Sequence, residues 1–219
     1  MKKVSILSVS ALFFFFSSIH AQITRGSLFL GGNLGFSSIN NVADDNSVHY
    51  KQDGITVSPV IGKAIKENLI FGAGLTYQYN RFSQGSTSLD DYQKANSYGA
   101  NIFLRKYKEI GKGFYIFLEG SLGGNYTKSS NKPLTVYNNY KRSSFGFGLT
   151  PGISYAVSKR LHLELGLNQI LSLGYSHERG DKGANYSIPY KTNSFSFSTS
   201  LTNSYLSSVY FGFRVLIGK

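Results

Sequence analysis

The chain has 219 residues, a formal charge of +12 and no cysteine. That length holds one domain, and the absence of cysteine excludes a disulfide framework and a thiolate metal site. The basic balance invites a nucleic-acid reading, but the N-terminus argues for export, and an exported chain has little occasion to meet nucleic acid.

Met1-Lys2-Lys3 opens the chain, an apolar run follows from Val4 through the Phe13–Phe16 tract to Ile19, and Ala21 stands before Gln22. A basic start, a short apolar core and a small residue before the cut describe a secretory signal peptide. The run is too short, too rich in serine and too poorly flanked for a membrane helix. Residues 1–21 are therefore expected to be removed, leaving 22–219 as a single domain. Lys2 and Lys3 leave with the signal, which takes the charge from +12 to +10.

Beyond the signal no helical period persists, and apolar residues alternate instead with polar residues or glycine, the mark of strands between unlike environments. The first strand sets Leu28, Leu30, Gly32, Leu34 and Phe36 against Phe29, Gly31, Asn33 and Gly35. The second sets Ile55, Val57, Pro59 and Ile61 against Thr56, Ser58 and Gly62. The third carries Leu69, Phe71, Ala73, Leu75, Tyr77 and Tyr79 on one face, and the fourth Tyr98, Ala100, Ile102 and Leu104. Phe114, Ile116, Leu118 and Leu122 mark the fifth. Phe145, Phe147, Leu149, Ile153 and Tyr155 mark the sixth, and Leu161, Leu163, Leu165 and Leu167 the seventh. The eighth carries Val209, Phe211, Phe213, Val215 and Ile217. Residues 194–203 add a further alternation at Phe195 and Phe197, read as an extension of the last strand, with a separate strand as the alternative.

Short turns at Ala64–Asn68, Lys108–Gly113 and Val157–Arg160 alternate with connections of roughly 15–18 polar residues, long by ordinary loop statistics. Short turns on one side and long loops on the other describe an up-and-down outer-membrane barrel whose short turns lie in the periplasm. An internal repeat fits this plan: Pro59 and Pro151, Ala64 and Ala156, Leu69 and Leu161 share one offset, close to half the mature chain.

Charge placement decides which face meets lipid. A soluble barrel wets its outside with charged residues along the strands. Here the strand cores hold only Arg105, Glu119, Glu164 and Arg214, all in phase with the glycine and serine face. The other face is apolar, as lipid requires, and Tyr77, Tyr79, Tyr98, Tyr126 and Tyr155 fall near strand ends as an interfacial girdle would. Most of the positive charge gathers at the short-turn end, where anionic headgroups of the inner leaflet are one partner and plain solvation is another.

The pattern resembles the small outer-membrane β-barrel proteins of the OmpA/OmpX type, including the porin-like "outer membrane protein beta-barrel" group. The resemblance rests on Ala21-Gln22, on Pro59 to Tyr77, and on Phe103-Leu104-Arg105. Leu118-Glu119-Gly120 and Leu149-Thr150-Pro151-Gly152-Ile153-Ser154-Tyr155 complete it. It implies a monomeric integral protein of a Gram-negative outer membrane, inserted by the barrel-assembly machinery and in contact with outer-membrane lipid and lipopolysaccharide. It also implies a terminal aromatic, whereas this chain ends Val215-Leu216-Ile217-Gly218-Lys219.

An eight-stranded barrel has an interior just wide enough for side chains to fill. Arg105, Glu119, Glu164, Arg214 and His162 would form a charge-balanced cluster near the periplasmic end, read as a structural plug, with a proton or ion path as the alternative. In the third loop Lys128, Lys132, Lys141 and Arg142 stand beside Tyr137 and Tyr140 without acids, a candidate contact for lipopolysaccharide phosphates or an acidic partner. Asp44-Asp45-Asn46 and Asp90-Asp91 offer oxygen ligands but no ordered calcium-loop pattern, so no metal is expected. His177-Glu178 among serines leaves a Ser–His pair open without specificity. No catalytic residue, no cofactor and no enzymatic activity are expected. The leading expectation is a structural or surface-interaction barrel acting through four extracellular loops on an unidentified ligand. A narrow channel comes second, and a lipid-modifying enzyme third.

Overall fold

The computed structural model describes residues 23–42, 49–85, 92–131, 139–167, 169–180, 189–199 and 209–218. Alternation becomes strand throughout them: β1 (Leu28–Val42), β2 (His49–Lys66), β3 (Leu69–Gly85), β4 (Tyr92–Gly111), β5 (Phe114–Asn131), β6 (Tyr140–Ala156), β7 (Leu161–Leu167), β8 (Leu171–Gly180), β9 (Tyr190–Thr199) and β10 (Val209–Ile217). Each neighbour is antiparallel, β1 pairs with both β2 and β10, and β5 pairs with β6, so the sheet closes on itself. Closure leaves the lower wall without a free edge.

Ten strands make eight staves. β6 pairs with β7 over Gly152–Ala156 and with β8 over Tyr140–Leu149, so β7 and β8 are the lower and upper parts of one stave. β10 pairs with β7 and β9 with β8, so β9 continues the β10 stave upward, as the alternation at Phe195 and Phe197 implied. The single seventh strand of the sequence reading is thus too short by β8. Its break falls opposite Thr150-Pro151, where proline has no N–H to offer a ladder. Pro59 does the same in β2, whose pairing to β3 skips from Val57 to Val60.

The turns at the base are tight. Gly111 pairs with Phe114 across Lys112-Gly113, whose φ values of 50° and 79° are those of a type I′ turn matched to sheet twist. Asn68, at φ 56°, turns the β2–β3 hairpin, a conformation asparagine tolerates better than most residues. At the opposite end the strands run well into what the sequence reading assigned to long loops. β1 reaches Val42 and β2 begins at His49, and β4 and β5 continue above Tyr98 and Tyr126. These hairpins are mostly ladder, because their polar alternation satisfies backbone pairing without needing an apolar face.

One phase of the alternation points outward and one inward. Leu34, Phe36, Ile61, Phe71, Leu75, Ile102, Leu104, Leu118, Leu122 and Phe213 are exposed on the outside. Tyr77, Tyr98 and Tyr126 stand directly beside one another on β3, β4 and β5, with the first two rings 5.4 Å apart. Tyr155 sits at the other end, packed 4.6 Å from Phe114. Inward, glycines in the wall make room for large neighbours. A Cβ at Gly72 would come 2.5 Å from Phe103 Cζ, and one at Gly152 2.6 Å from Phe117 Cε1.

Candidate functional site in the barrel lumen

The base is a buried apolar layer. Ile23, Phe29, Ile70, Tyr115, Phe117, Ala64, Ala156 and Leu216 are buried together. The segment before β1 folds into this layer, with Asn68 N donating to Ile23 O at 3.0 Å and Gly26 N to Ala64 O at 2.8 Å.

On this layer lies an ion-pair network built from four staves. β4 places Arg105 directly across from Glu119 of β5, and Arg105 Nε and Nη2 donate to Glu119 Oε2 at 2.8 and 2.6 Å. Its remaining nitrogen crosses the lumen. Arg105 Nη1 donates to Glu164 Oε2 of β7 at 2.7 Å and to the Tyr107 hydroxyl at 3.0 Å. Tyr107 in turn donates to Glu164 Oε1 at 2.5 Å. Arg214 of β10 completes the set, with Nη2 3.2 Å from Glu164 Oε2 and 2.8 Å from Asn33 Oδ1. Its Nη1 donates to the backbone oxygens of Gly32 and Phe213 at 2.7 and 2.8 Å.

Glu164 therefore accepts from Arg105, Arg214 and Tyr107 at once, and two arginines are balanced by two glutamates. Buried ions need this degree of satisfaction, since an unpaired one costs several kcal/mol. The Arg105 guanidinium is further enclosed by rings: its Cζ lies 4.5 Å from the Phe117 centroid, 5.5 Å from Phe29 and 5.7 Å from Phe103, within cation–π range.

Of the five lumen residues named from the sequence, four form this network. His162 lies below it, two positions down β7, with Nδ1 3.2 Å from Ser154 Oγ and its ring 5.5 Å from that of Tyr115. It belongs to the apolar base. Sequence reasoning missed Tyr107, Asn33 and the aromatic cage, although Tyr107 shares the phase of Phe103 and Arg105. A fourth strand followed only as far as Leu104 leaves it out. Above the floor made by Arg105, Glu119 and Tyr210 lies a polar cavity of about 840 Å³, flanked by Asn33, Asn101 and Asn125.

The third-loop patch is placed differently from expectation. Lys128 lies in β5, and Tyr140, Lys141 and Arg142 lie in β6, while Lys132 and Tyr137 fall outside the described residues. Arg142 is already paired within the wall. Its Nε donates to Glu178 Oε2 at 2.6 Å, its Nη2 pairs with the same oxygen, and its guanidinium covers the Tyr140 ring. Tyr190 donates to Glu178 Oε1 at 2.6 Å, and the carboxylate it faces pushes the Tyr190 phenol up to about 12. His177 Nδ1 stands 2.8 Å from Asn193 Oδ1. Asp44-Asp45-Asn46, Asp90-Asp91 and the signal segment lie outside the described residues, and among those described no group of acidic and histidine side chains has the makings of a metal site.

The chain is thus an all-β, closed, antiparallel barrel of eight staves, apolar outside, with a charged and ring-lined floor within. No family model and no curated protein matches its sequence. Among solved structures it is similar to Neisserial surface protein A, with a TM-score of 0.40 and 16% identity over 87% of this chain and 97% of that one. It is similar also to the translocator domain of autotransporter NalP from Neisseria meningitidis, with a TM-score of 0.43 and 17% identity over 97% and 74%. A major outer membrane protein from Thermus thermophilus gives a TM-score of 0.39 and 10% identity over 90% and 100%.

Proposed function

We propose that this chain is an integral outer-membrane barrel of the small OmpA/OmpX-like kind, exported by its leader and set with its tight turns in the periplasm. Its role is structural or surface-interacting, carried by the hairpins above the tyrosine row. The outward apolar phase between the base lysines and Tyr77, Tyr98 and Tyr126 supports the membrane setting, because lysine and arginine are costly at the midplane of such a band. The Glu164 network carries the rest of the reading. The Arg105–Glu164 pair crosses the lumen above a layer of buried rings, and this supports a filled barrel over an open channel. A narrow channel would need that floor to open, and lipid chemistry would need a nucleophile placed beside the His177 ring, whose Nδ1 faces Asn193.

The purified barrel is expected to migrate faster on a detergent gel before boiling than after it, to fractionate with the outer membrane, and to leave a planar bilayer silent. Steady conductance steps from the wild type, lost when Arg105 is replaced by alanine, would establish the channel instead. Recovery in the soluble periplasmic fraction would end the membrane reading altogether.

A further inference from the structure

The outward face is not uniformly ridged. Gly120 occupies an outward position on β5 between Leu118 and Leu122, with Leu104 of β4 on one side and Leu149 of β6 on the other. The missing side chain leaves an apolar groove of about 420 Å³ whose walls include Phe71, Leu104, Leu122 and Phe147. The groove runs along β4 and β5 and ends toward the base at Lys106, which stands between Leu69 and Leu118. Upward it shares Ile102 and Leu122 with a second hollow of about 590 Å³, where the outward residues Ala73 and Ala100 are small.

The charge at the lower end is positive. Lys108 lies two positions below Lys106 on the same outward phase, and both are exposed. Lys106 Nζ is 3.4 Å from the backbone oxygen of Glu67, which stands in the β2–β3 turn, and Glu109 pairs with Tyr115 at the lower end of β4. An apolar groove along the strands with a pair of ammonium groups at its headgroup end has the chemistry of an amphiphile with a long chain and an anionic head.

Resting on the membrane-spanning reading above, we propose that this face holds one anionic phospholipid of the periplasmic leaflet, with an acyl chain in the Gly120 groove and its phosphate at Lys106 and Lys108. The chain's shape selects the groove and the lysines select the head. A zwitterionic lipid of equal chain length fills the groove and gains little from the lysines.

The test is native mass spectrometry of the detergent-purified barrel offered phosphatidylglycerol or phosphatidylethanolamine at equal concentration. The wild type is expected to retain one phosphatidylglycerol in preference to phosphatidylethanolamine. The double variant Lys106→Gln, Lys108→Gln is expected to lower that retention about tenfold to thirtyfold. Gly120→Leu is expected to abolish retention of both lipids. It should fold, since its Cβ meets Leu149 Cδ2 and Phe147 Cε2 at 3.6 and 3.7 Å, ordinary contact distances. Equal retention of the two lipids, or retention undiminished in Gly120→Leu, overturns the proposal. Heat-modifiable migration in every variant separates the two failures. A barrel that inserts without lipid preference loses only this site, whereas one that never enters the membrane loses the parent reading.

Discussion

Replacing Glu164 with glutamine removes the one carboxylate on which Arg105, Arg214 and Tyr107 converge. The amide keeps one acceptor oxygen and turns a pair of N–H donors toward groups that are already donating. Glu119, the partner of Arg105, is then the remaining carboxylate for two buried guanidinium groups, and Arg214 keeps only Asn33 and the backbone oxygens of Gly32 and Phe213. Breaking one partner out of a buried ion pair costs roughly 3–5 kcal/mol, which is about two to three and a half powers of ten in the folding equilibrium. The assay is urea unfolding of the barrel in lipid vesicles, read by the loss of the fast-migrating gel form and by tyrosine circular dichroism, since the chain has no tryptophan. Arg142→Gln serves as the comparison. Its side chain is 49% exposed, and a pair with so exposed a member contributes about 0–1 kcal/mol. If Glu164→Gln also costs under about 1 kcal/mol, water reaches the network, and the dry floor on which the non-conducting reading depends is wrong.

Two further outcomes follow from position along the staves. Arginine at Ile102, midway along the outward row from Lys106 to Tyr98, is expected to cost about 2–4 kcal/mol in the same unfolding assay, and arginine at Tyr98 only about 0–1. Equal costs at the two sites would remove the lipid band. In the upper hairpin, Tyr190 holds its proton up to about 12 because its hydroxyl donates to Glu178. The contribution is full below the ordinary phenol value near 10 and is lost as the pH rises through about 12. Glu178→Gln should bring the titration, followed by tyrosinate absorbance, back toward the ordinary value, and an unmoved curve would refute the contact.

The barrel was legible because its two faces differ in kind: a leucine and phenylalanine phase against a glycine and serine phase, repeated stave after stave. The positions of Arg105, Glu119, Glu164 and Arg214 were legible for the same reason, since four charges in the glycine phase have nowhere to point but inward. Their connectivity was not. Arg105 and Glu164 are 59 residues apart and meet across the lumen, and period-two alternation carries no information about what faces what through the interior. The pairing of Arg142 was hidden because its partner Glu178 comes from the neighbouring stave, so a run of sequence without acids becomes a paired surface. The length of the hairpins was hidden as well, since strands projecting beyond an apolar band are polar on both faces and look like loop.

The two parts of the wall differ in how they can come apart. Below Leu34 and Phe211 the ladder runs all the way round, and no stave can leave without breaking hydrogen bonds on both sides. Above the breaks at Pro151 and Val209, β9 pairs among the described residues with β8 alone. A ring yields only as a whole, while an open flap peels from its edge. The amides of Tyr190–Thr199 should therefore exchange with solvent through local fraying, while those around Arg105 wait for global unfolding. A protein built this way joins a rigid closed ring to a yielding upper margin.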